Sequence, residues 1–208
     1  MHRFIDLSHE INSKMPVYPG TESPIIETVC TIDEHGFVER KLSMFSHVGT
    51  HLDVPAHLIK EARSLSSFDI SNFCGKAFKQ ELSDDLTPEI IQNKIGDLGK
   101  PDFILFTNGW HNYWQSEKYF SDFPVPSARI CEFLADLGVK GVGIDSISID
   151  RVENTKLINH HILLSKNCII IENLTNMSAL PASMFDFFCF PLKIENGDGS
   201  PVRAVALI

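Results

Sequence analysis

The chain has 208 residues, which is enough for one domain with a sizeable hydrophobic core. Hydrophobic residues make up 43% of it and charged residues 22%, as is ordinary for a soluble globular protein. The formal net charge of −9 argues against nucleic acids and anionic membrane surfaces as partners. No apolar run approaches the length of a membrane span, and residues 1–8 lack the apolar core of a signal peptide, so we expect a cytoplasmic protein.

The first part of the chain is dominated by short strand-like runs. Alternating apolar and polar residues predict strands over residues 3–11, 25–32, 37–45 and 77–82. The polar stretch 33–36 separates the second and third runs and predicts a hairpin loop.

Strands and helices alternate in the second part. Thr87 and Pro88 predict the N-cap and first residue of a helix, and Gly138 predicts the end of another helix over residues 127–137. A further helix is predicted over residues 157–164, and strands over 103–106, 141–144, 168–171, 185–194 and 202–208. This order predicts a mixed, strand-rich α/β fold with residues 1–208 forming a single domain.

Two residue types are predicted to serve mainly as core. The five cysteines are scattered, odd in number and form no Cys-x-x-Cys pair, so we expect reduced thiols that are mostly buried. The phenylalanine-rich run of residues 185–190 is predicted to pack in the core rather than to line a substrate site.

The segment 47–57 reads His-Val-Gly-Thr-His-Leu-Asp-Val-Pro-Ala-His and carries three imidazoles and one carboxylate. These are ligand types that divalent zinc and manganese prefer. Gly49 and Pro55 argue against a helix, whereas an extended or turning backbone can point all four groups, the three histidines and Asp53, into one cavity. The alternative is a histidine-rich surface loop, but four such groups at this spacing favour a metal centre.

The same segment resembles the signature of the cyclase-like metal-dependent hydrolases, a family that includes bacterial kynurenine formamidases and isatin hydrolases. Every fixed position of His-x-Gly-Thr-His-x-Asp-x-Pro-x-His is matched. Further similarity is found at residues 5–8, 16–20, 107–110, 143–150, 160–161 and 172–174, so the resemblance extends over most of the chain. It implies a layered β/β/α swivelling fold and a dimer or higher oligomer.

A second set of candidate ligands lies at His160, His161 and Glu172. The adjacent histidines of a helix point about 100° apart, so only one of them can face a given site. The resemblance implies that a histidine of such a pair and a glutamate twelve positions later complete a second metal site. That spacing selects His160 with Glu172, and Asp53 would then bridge two ions. One or two divalent ions are expected, most simply zinc, with manganese as the alternative.

The expected chemistry is hydrolysis of a small amide, formamide or cyclic amide. A metal held by His47, His51 and Asp53 would supply activated water, because such ions lower the pKa of coordinated water toward about 7. His57 has no assigned ligand role, and the family pattern implies that it carries the proton to the leaving amine. Its alternative role is that of a fourth ligand in a closed, structural site.

Weaker predictions concern residues around this centre. Tyr18, in a proline-braced turn, is a candidate substrate-binding residue that could stack on an aromatic ring. Kynurenine formamidases usually carry tryptophan at the matching place, so Tyr18 leaves the substrate open. Asp145 and Asp150 either orient ligand histidines or cap turns. Trp110 either lines the pocket or packs in the core.

Four histidines lie outside the candidate ligand sets. The remaining histidines are interpreted as surface or structural groups, namely His2, His9, His35 and His111. Within the hydrolase class, cleavage of N-formylkynurenine competes with ring opening of isatin-like amides or lactones. The rival class is a metal-binding protein without turnover.

Overall fold

A computed structural model of the protein describes residues 2–208, and its main feature is a nine-stranded sheet. Its strands are β1 (Phe4–Asp6), β4 (His51–Asp53), β5 (Cys74–Glu81), β6 (Phe103–Thr107), β7 (Gly141–Ile144), β8 (Ile169–Glu172), β9 (Phe185–Phe188), β10 (Gly199–Pro201) and β11 (Val205–Leu207). Two further strands, β2 (Ile25–Cys30) and β3 (Glu39–Ser43), form a separate ribbon. The helices are α1 (Ile32–His35), α2 (Pro88–Leu98), α3 (Ala128–Leu137) and α4 (Ile158–Ser165).

The large sheet has the order β1-β11-β9-β5-β6-β7-β8-β4-β10. Its middle strands, β5 to β8, are parallel, and the other pairings are antiparallel. Parallel neighbours need a crossover connection, and α2, α3 and α4 supply one each. Beyond β8, the antiparallel strands β4 and β10 extend the sheet, and both strands form part of the candidate site.

Local signals explain where two of these helices begin and end. The Thr87 side chain accepts a hydrogen bond from the Ile90 amide at the start of α2, and Ser127 does the same for Ile130 at the start of α3. Gly138 ends α3 in the left-handed conformation at φ 72°. These predicted helix boundaries are confirmed.

Two apolar cores lie on the two faces of the sheet. One is formed where α2, α3 and α4 cover the middle strands, and it includes Ile91, Leu134 and Leu163. The other lies inside the curl of the sheet, where residues of β1, β4, β9 and β11 meet those of the middle strands. The prediction of a mixed, strand-rich α/β fold is confirmed.

The ribbon of β2 and β3 differs from the prediction at its connection. Residues 33–36 were expected to form a loop, but Ile32–His35 makes one helical turn that ends at Gly36, whose φ is 78°. The ribbon has no strand pairing with the nine-stranded sheet. All five residues of β3 are exposed.

The C-terminal strands are shorter than predicted. The predicted strand 185–194 ends at Phe188, and Pro191, which lacks an amide donor, lies just beyond it. Phe185 and Phe187 are buried, whereas Phe190 is 43% exposed, so the expected core role holds for only part of this run. Residues 199–201 form β10, a strand that the sequence pattern did not predict.

The cysteines behave largely as expected. Cys131, Cys168 and Cys189 are buried, Cys30 and Cys74 are partly exposed, and all five are free thiols. Within residues 2–208, no helix is long and apolar enough to cross a membrane.

Candidate metal centre

Strand pairing brings three acidic and imidazole groups together. His51 and Asp53 lie two residues apart in β4, so their side chains share one face of the sheet. The register places His51 opposite Glu172 of β8. The His51 Nε2 atom lies 3.4 Å from Asp53 Oδ1 and 3.5 Å from Glu172 Oε2. All three residues are buried.

His47 reaches the same group from the loop before β4. Its Nδ1 atom lies 2.6 Å from Asp53 Oδ1, and its Nε2 atom lies 2.8 Å from Asp198 Oδ2. Burial by itself lowers the pKa of His47, but the two carboxylates outweigh burial and raise the pKa to about 9. The His47 ring is therefore held between two acidic groups.

Helix α4 supplies His160, the buried member of the histidine pair. The Nε2 atom of His160 lies 3.3 Å from Glu172 Oε1 and 3.6 Å from Asp53 Oδ2. His161, the next residue of the helix, is exposed. The structure thus brings His160, and not its neighbour, to Asp53 and Glu172.

Asp53 lies at the centre of this arrangement. Burial raises the pKa of its carboxyl group, but the charge of His47 and the close contacts of His160, His47 and His51 outweigh burial and hold the pKa well below the usual range. A carboxylate that contacts three imidazoles from different elements has the position expected of a shared ligand.

His57 stands beside the cluster on a short 3₁₀ turn, Pro55–His57, immediately after β4. Its ring centroid lies 4.0 Å from that of His47 and 6.3 Å from that of His160. Burial lowers the pKa of His57, and the nearby Asp53 carboxylate only partly offsets this effect. About a quarter of the His57 side chain, 26%, remains exposed.

Three of the four histidines are held from behind by a hydrogen-bond acceptor. His47 contacts Asp198, the His51 Nδ1 donates to the Gly49 carbonyl at 2.9 Å, and the His160 Nδ1 lies 2.8 Å from Asp150 Oδ2. Outer partners of this kind are typical of histidines that bind metals. Asp150 also accepts hydrogen bonds from the backbone amides of Asn159 and His160, so it has the geometry of both roles that the sequence left open.

Asp198 was missed by the sequence-based reasoning. It lies in the run Asn-Gly-Asp-Gly at residues 196–199, which looks like an ordinary turn. The pairing of β10 with β4 places Gly199 opposite Asp53 and so brings Asp198 to His47. No local signal in the sequence marks Asp198, because its position depends on that long-range pairing.

A cavity of about 340 Å³ opens over the cluster. The candidate ligands and His57 line its polar side, and Tyr18 lines its wall as expected for a substrate-binding residue. The apolar lining includes Val17, Phe45, Val48, Ile147 and Leu157. A polar end and apolar walls suit a small molecule that carries one hydrolysable group on an apolar or aromatic body.

Several weaker candidates lie away from the cavity. Trp110 packs in a separate aromatic core, and its indole donates to the Tyr119 carbonyl at 3.2 Å. Asp145 is fully buried and holds His111, at 2.9 Å, rather than a candidate ligand. His9 stacks on Trp114. These residues have the structural roles that were the alternative to a functional one.

The donor set fits a divalent metal. Two groups have ligand atoms close enough to hold an ion, namely His47 with Asp53 and His57, and His51 with Asp53 and Glu172. The Asp53 and Glu172 side chains are only 2% and 6% exposed, and buried charges in proteins are paired or coordinate metals. Because His57 belongs to one of these groups, its alternative role as a ligand stays open.

Comparison with known proteins assigns the family. The family model described as "Putative cyclase" matches residues 5–151, which is more than two thirds of the chain. The chain belongs to the cyclase family. The matched region contains the segment 47–57 and ends before His160 and Glu172.

Relatives of this cyclase-family chain match it over nearly its full length. Kynurenine formamidase of Bacillus cytotoxicus is 28% identical over 203 residues, covering 97% of this chain and 96% of its own. Isatin hydrolase A from Labrenzia aggregata, solved with benzyl benzoate, has 25% identity and a TM-score of 0.88, covering 100% of this chain and 94% of its own. A predicted metal-dependent hydrolase from Bacillus stearothermophilus has 26% identity and a TM-score of 0.75, with coverages of 100% and 98%.

These likenesses confirm three of the expectations drawn from the sequence. The chain is a member of the cyclase family, it has the strand-rich α/β fold of that family, and it is an amidohydrolase enzyme.

Proposed function

We propose that this protein hydrolyses a small formamide or amide of the N-formylkynurenine type with the help of one or two divalent metal ions. The observation that carries the proposal is that five candidate ligands cluster at the polar end of one cavity, with Asp53 at their centre. These ligands are His47, His51, Asp53, His160 and Glu172. On this substrate, the enzyme would act in tryptophan catabolism.

Three imidazoles and two carboxylates form a ligand set that favours zinc, with manganese as the alternative. When bound, such an ion supplies Lewis acidity and lowers the pKa of water. The protein holds the ligand rings in place through Asp198, the Gly49 carbonyl and Asp150. Asp53, with one oxygen near His47 and the other near His160, has the position of a ligand shared by two ions.

His57 is proposed as the proton carrier. An amine leaves an acyl carbon readily only when its nitrogen is protonated, so the reaction needs an acid next to the ligand cluster. The His57 ring lies beside the His47 ring and remains partly exposed to the cavity. A lowered pKa keeps His57 neutral near pH 7, ready to accept a proton and pass it to the leaving nitrogen.

The rest of the cavity is proposed to select the substrate. Tyr18 lies on a turn, and burial raises the pKa of its phenol, which therefore stays protonated. With Phe45 and Ile147 it offers an apolar surface for an aromatic ring. A cyclic amide such as isatin, or a lactone, would suit the same walls, and the likeness to isatin hydrolase A favours this second candidate.

Two further features belong to the same proposal. Residues 1–208 act as one hydrolase domain, since the nine-stranded sheet includes strands from Phe4–Asp6 to Val205–Leu207. The five free thiols favour the reducing environment of the cytoplasm. We also propose that the enzyme is a homo-oligomer, because the β2–β3 ribbon and its flanking residues expose many large apolar side chains.

The proposal is tested by metal analysis and a substrate panel. The purified protein, loaded with zinc or manganese, is assayed on N-formylkynurenine, a simple aryl formamide, isatin and a lactone. We expect stoichiometric metal and turnover of the formamides, with loss of both after chelation and in Asp53→Asn. Turnover of isatin alone would favour ring opening, and bound metal without turnover of any substrate would indicate a metal-binding protein.

A further inference from the structure

Behind the candidate ligand His51 lies a buried chain of hydrogen bonds. The His51 Nδ1 donates to the Gly49 carbonyl, and the Asn173 amide nitrogen donates to the same oxygen at 2.8 Å. The Asn173 amide oxygen accepts a hydrogen bond from the Tyr119 hydroxyl, also at 2.8 Å. A carbonyl oxygen has two lone pairs and can accept both donors.

This chain determines which nitrogen of His51 is available to a metal. Because a carbonyl oxygen only accepts, Nδ1 must carry the proton, and Nε2 is left with a free lone pair. The Nε2 atom faces Asp53 and Glu172. The orientation of the Gly49 carbonyl therefore controls how His51 presents itself to the cluster.

Asn173 is suited to hold that carbonyl. It immediately follows β8 and Glu172, is 4% exposed, and has a left-handed backbone at φ 57°. The backbone of Asn173 has its own hydrogen bonds. Its backbone carbonyl accepts from the Thr50 hydroxyl at 2.6 Å, and its backbone N–H donates to the Ser146 carbonyl at 2.9 Å. The turn is therefore held without the Asn173 side chain, which instead binds the Gly49 carbonyl.

Tyr119 fixes the orientation of the Asn173 amide. It is fully buried, and burial raises the pKa of its phenol well above the usual range, so the hydroxyl remains a donor. A donor at this position requires the amide oxygen to face Tyr119 and the amide nitrogen to face Gly49. Tyr119 therefore acts on the metal centre through Asn173, although it lies outside the set of cavity-lining residues.

We infer that Asn173, oriented by Tyr119, is a positioning residue that holds the Gly49 carbonyl and thereby keeps His51 in the ring orientation and tautomer that bind metal. The inference rests on the proposed function, because it assumes that His51 is a ligand. It adds two residues outside the proposed ligand set, of which Asn173 also lines the cavity and Tyr119 does not. Loss of such outer partners typically weakens metal binding about 10- to 100-fold.

The main test uses Asn173→Gly, since glycine accepts the left-handed backbone and removes only the side chain. The measurements are the zinc dissociation constant by chelator competition, kcat/KM on N-formylkynurenine, and the ¹⁵N spectrum of His51 in the metal-free protein. We expect about 10- to 100-fold weaker zinc binding and a mixture of His51 tautomers. Tyr119→Phe, which keeps Asn173, should also weaken zinc binding and mix the His51 tautomers, but to a smaller extent than Asn173→Gly.

Asn176→Gly is the matched control. Asn176 also has a positive φ, of 54°, and its amide also donates to a backbone carbonyl, that of Asp6 at 2.8 Å, but it is exposed. This variant should bind zinc like the parent protein. If Asn173→Gly and Tyr119→Phe both keep the parent zinc affinity and His51 tautomer, the inference is overturned. If the parent protein binds no divalent metal, the proposed function itself fails and the inference with it.

Discussion

At the scale of single residues, His57 differs from the other three histidines of the cluster. His47, His51 and His160 each have a close acceptor behind the ring, whereas the nearest carboxylate oxygen to the His57 Nδ1, that of Asp198, is 3.7 Å away. A ligand benefits from a fixed ring, while a proton carrier must exchange its proton with the substrate. The contrast supports different roles for chemically identical side chains.

Replacement of His57 should separate these roles. We expect His57→Ala to retain its full complement of metal but to lose about 10²- to 10⁴-fold in kcat, because only the proton transfer is removed. Metal content and single-substrate kinetics measure the two effects side by side. His161→Ala, which removes an exposed imidazole of the same chain, is the control and should change neither. Loss of metal together with activity in His57→Ala would instead identify a ligand.

The residues of the cluster were predictable from sequence to an unequal degree. The spacing within 47–57 and the match to a known signature drew attention to His47, His51, Asp53 and His57, and the structure does bring these residues together. Their outer partners were harder to find. The Gly49 carbonyl is a backbone group, so no residue type in the sequence marks it. Asp198 approaches His47 only because β10 pairs with β4, a strand more than 140 residues earlier in the chain.

At the scale of secondary-structure elements, β10 is a support for the site. It pairs antiparallel with β4 and places Gly199 under the His47 ring. A Cβ atom at Gly199 would lie 2.5 Å from His47 Cε1 and 2.7 Å from the Leu52 carbonyl oxygen. Because one of these neighbours is backbone, the strand itself would have to shift to make room.

The substitution Gly199→Ala should therefore weaken the site. We expect a stability loss of about 1–3 kcal/mol, as is typical of overpacking, together with weaker metal binding as His47 moves away from Asp53. Thermal unfolding and chelator competition measure these two effects. Gly96→Ala is the control, since a Cβ there meets nothing within 4 Å and alanine favours the interior of α2. Parent-like metal affinity in Gly199→Ala would show that β10 does not support the site.

The helices and strands differ in how far they could be predicted from the residues next to them in the sequence. The helix α2 follows its predicted N-cap Thr87, and α3 begins one residue after the predicted start at Ser127, because a cap acts on the amides of its own first turn. The strands β4 and β10 are three residues long and depend on their neighbours across the sheet. Pro55, which lacks an amide donor, lies just beyond the end of β4, and no pattern in residues 199–201 predicted a partner strand.

At the scale of the whole molecule, the β2–β3 ribbon stands out as incompletely covered. Residues 25–45, which contain the two strands, their connection and the residues just after β3, carry seven of the fifteen exposed large hydrophobic side chains within residues 2–208, namely Ile25, Val29, Ile32, Phe37, Val38, Leu42 and Phe45. An isolated two-stranded ribbon is marginally stable in water, and clustered apolar exposure is typical of an interface. Phe45 also lines the cavity, so a surface covering the ribbon would approach the site.

We expect a second copy of the chain to cover these apolar side chains, in line with the predicted homo-oligomer. We expect the parent protein to sediment as a dimer or higher oligomer, and Leu42→Glu to shift it toward monomer, because a buried charge without a partner opposes association. Sedimentation velocity over a range of protein concentrations measures this shift. Ile70→Glu is the matched control, since Ile70 is 63% exposed but lies outside the ribbon, in a short 3₁₀ helix. A parent protein that remains monomeric, or a Leu42→Glu variant that associates like the parent, would show that the ribbon serves another purpose.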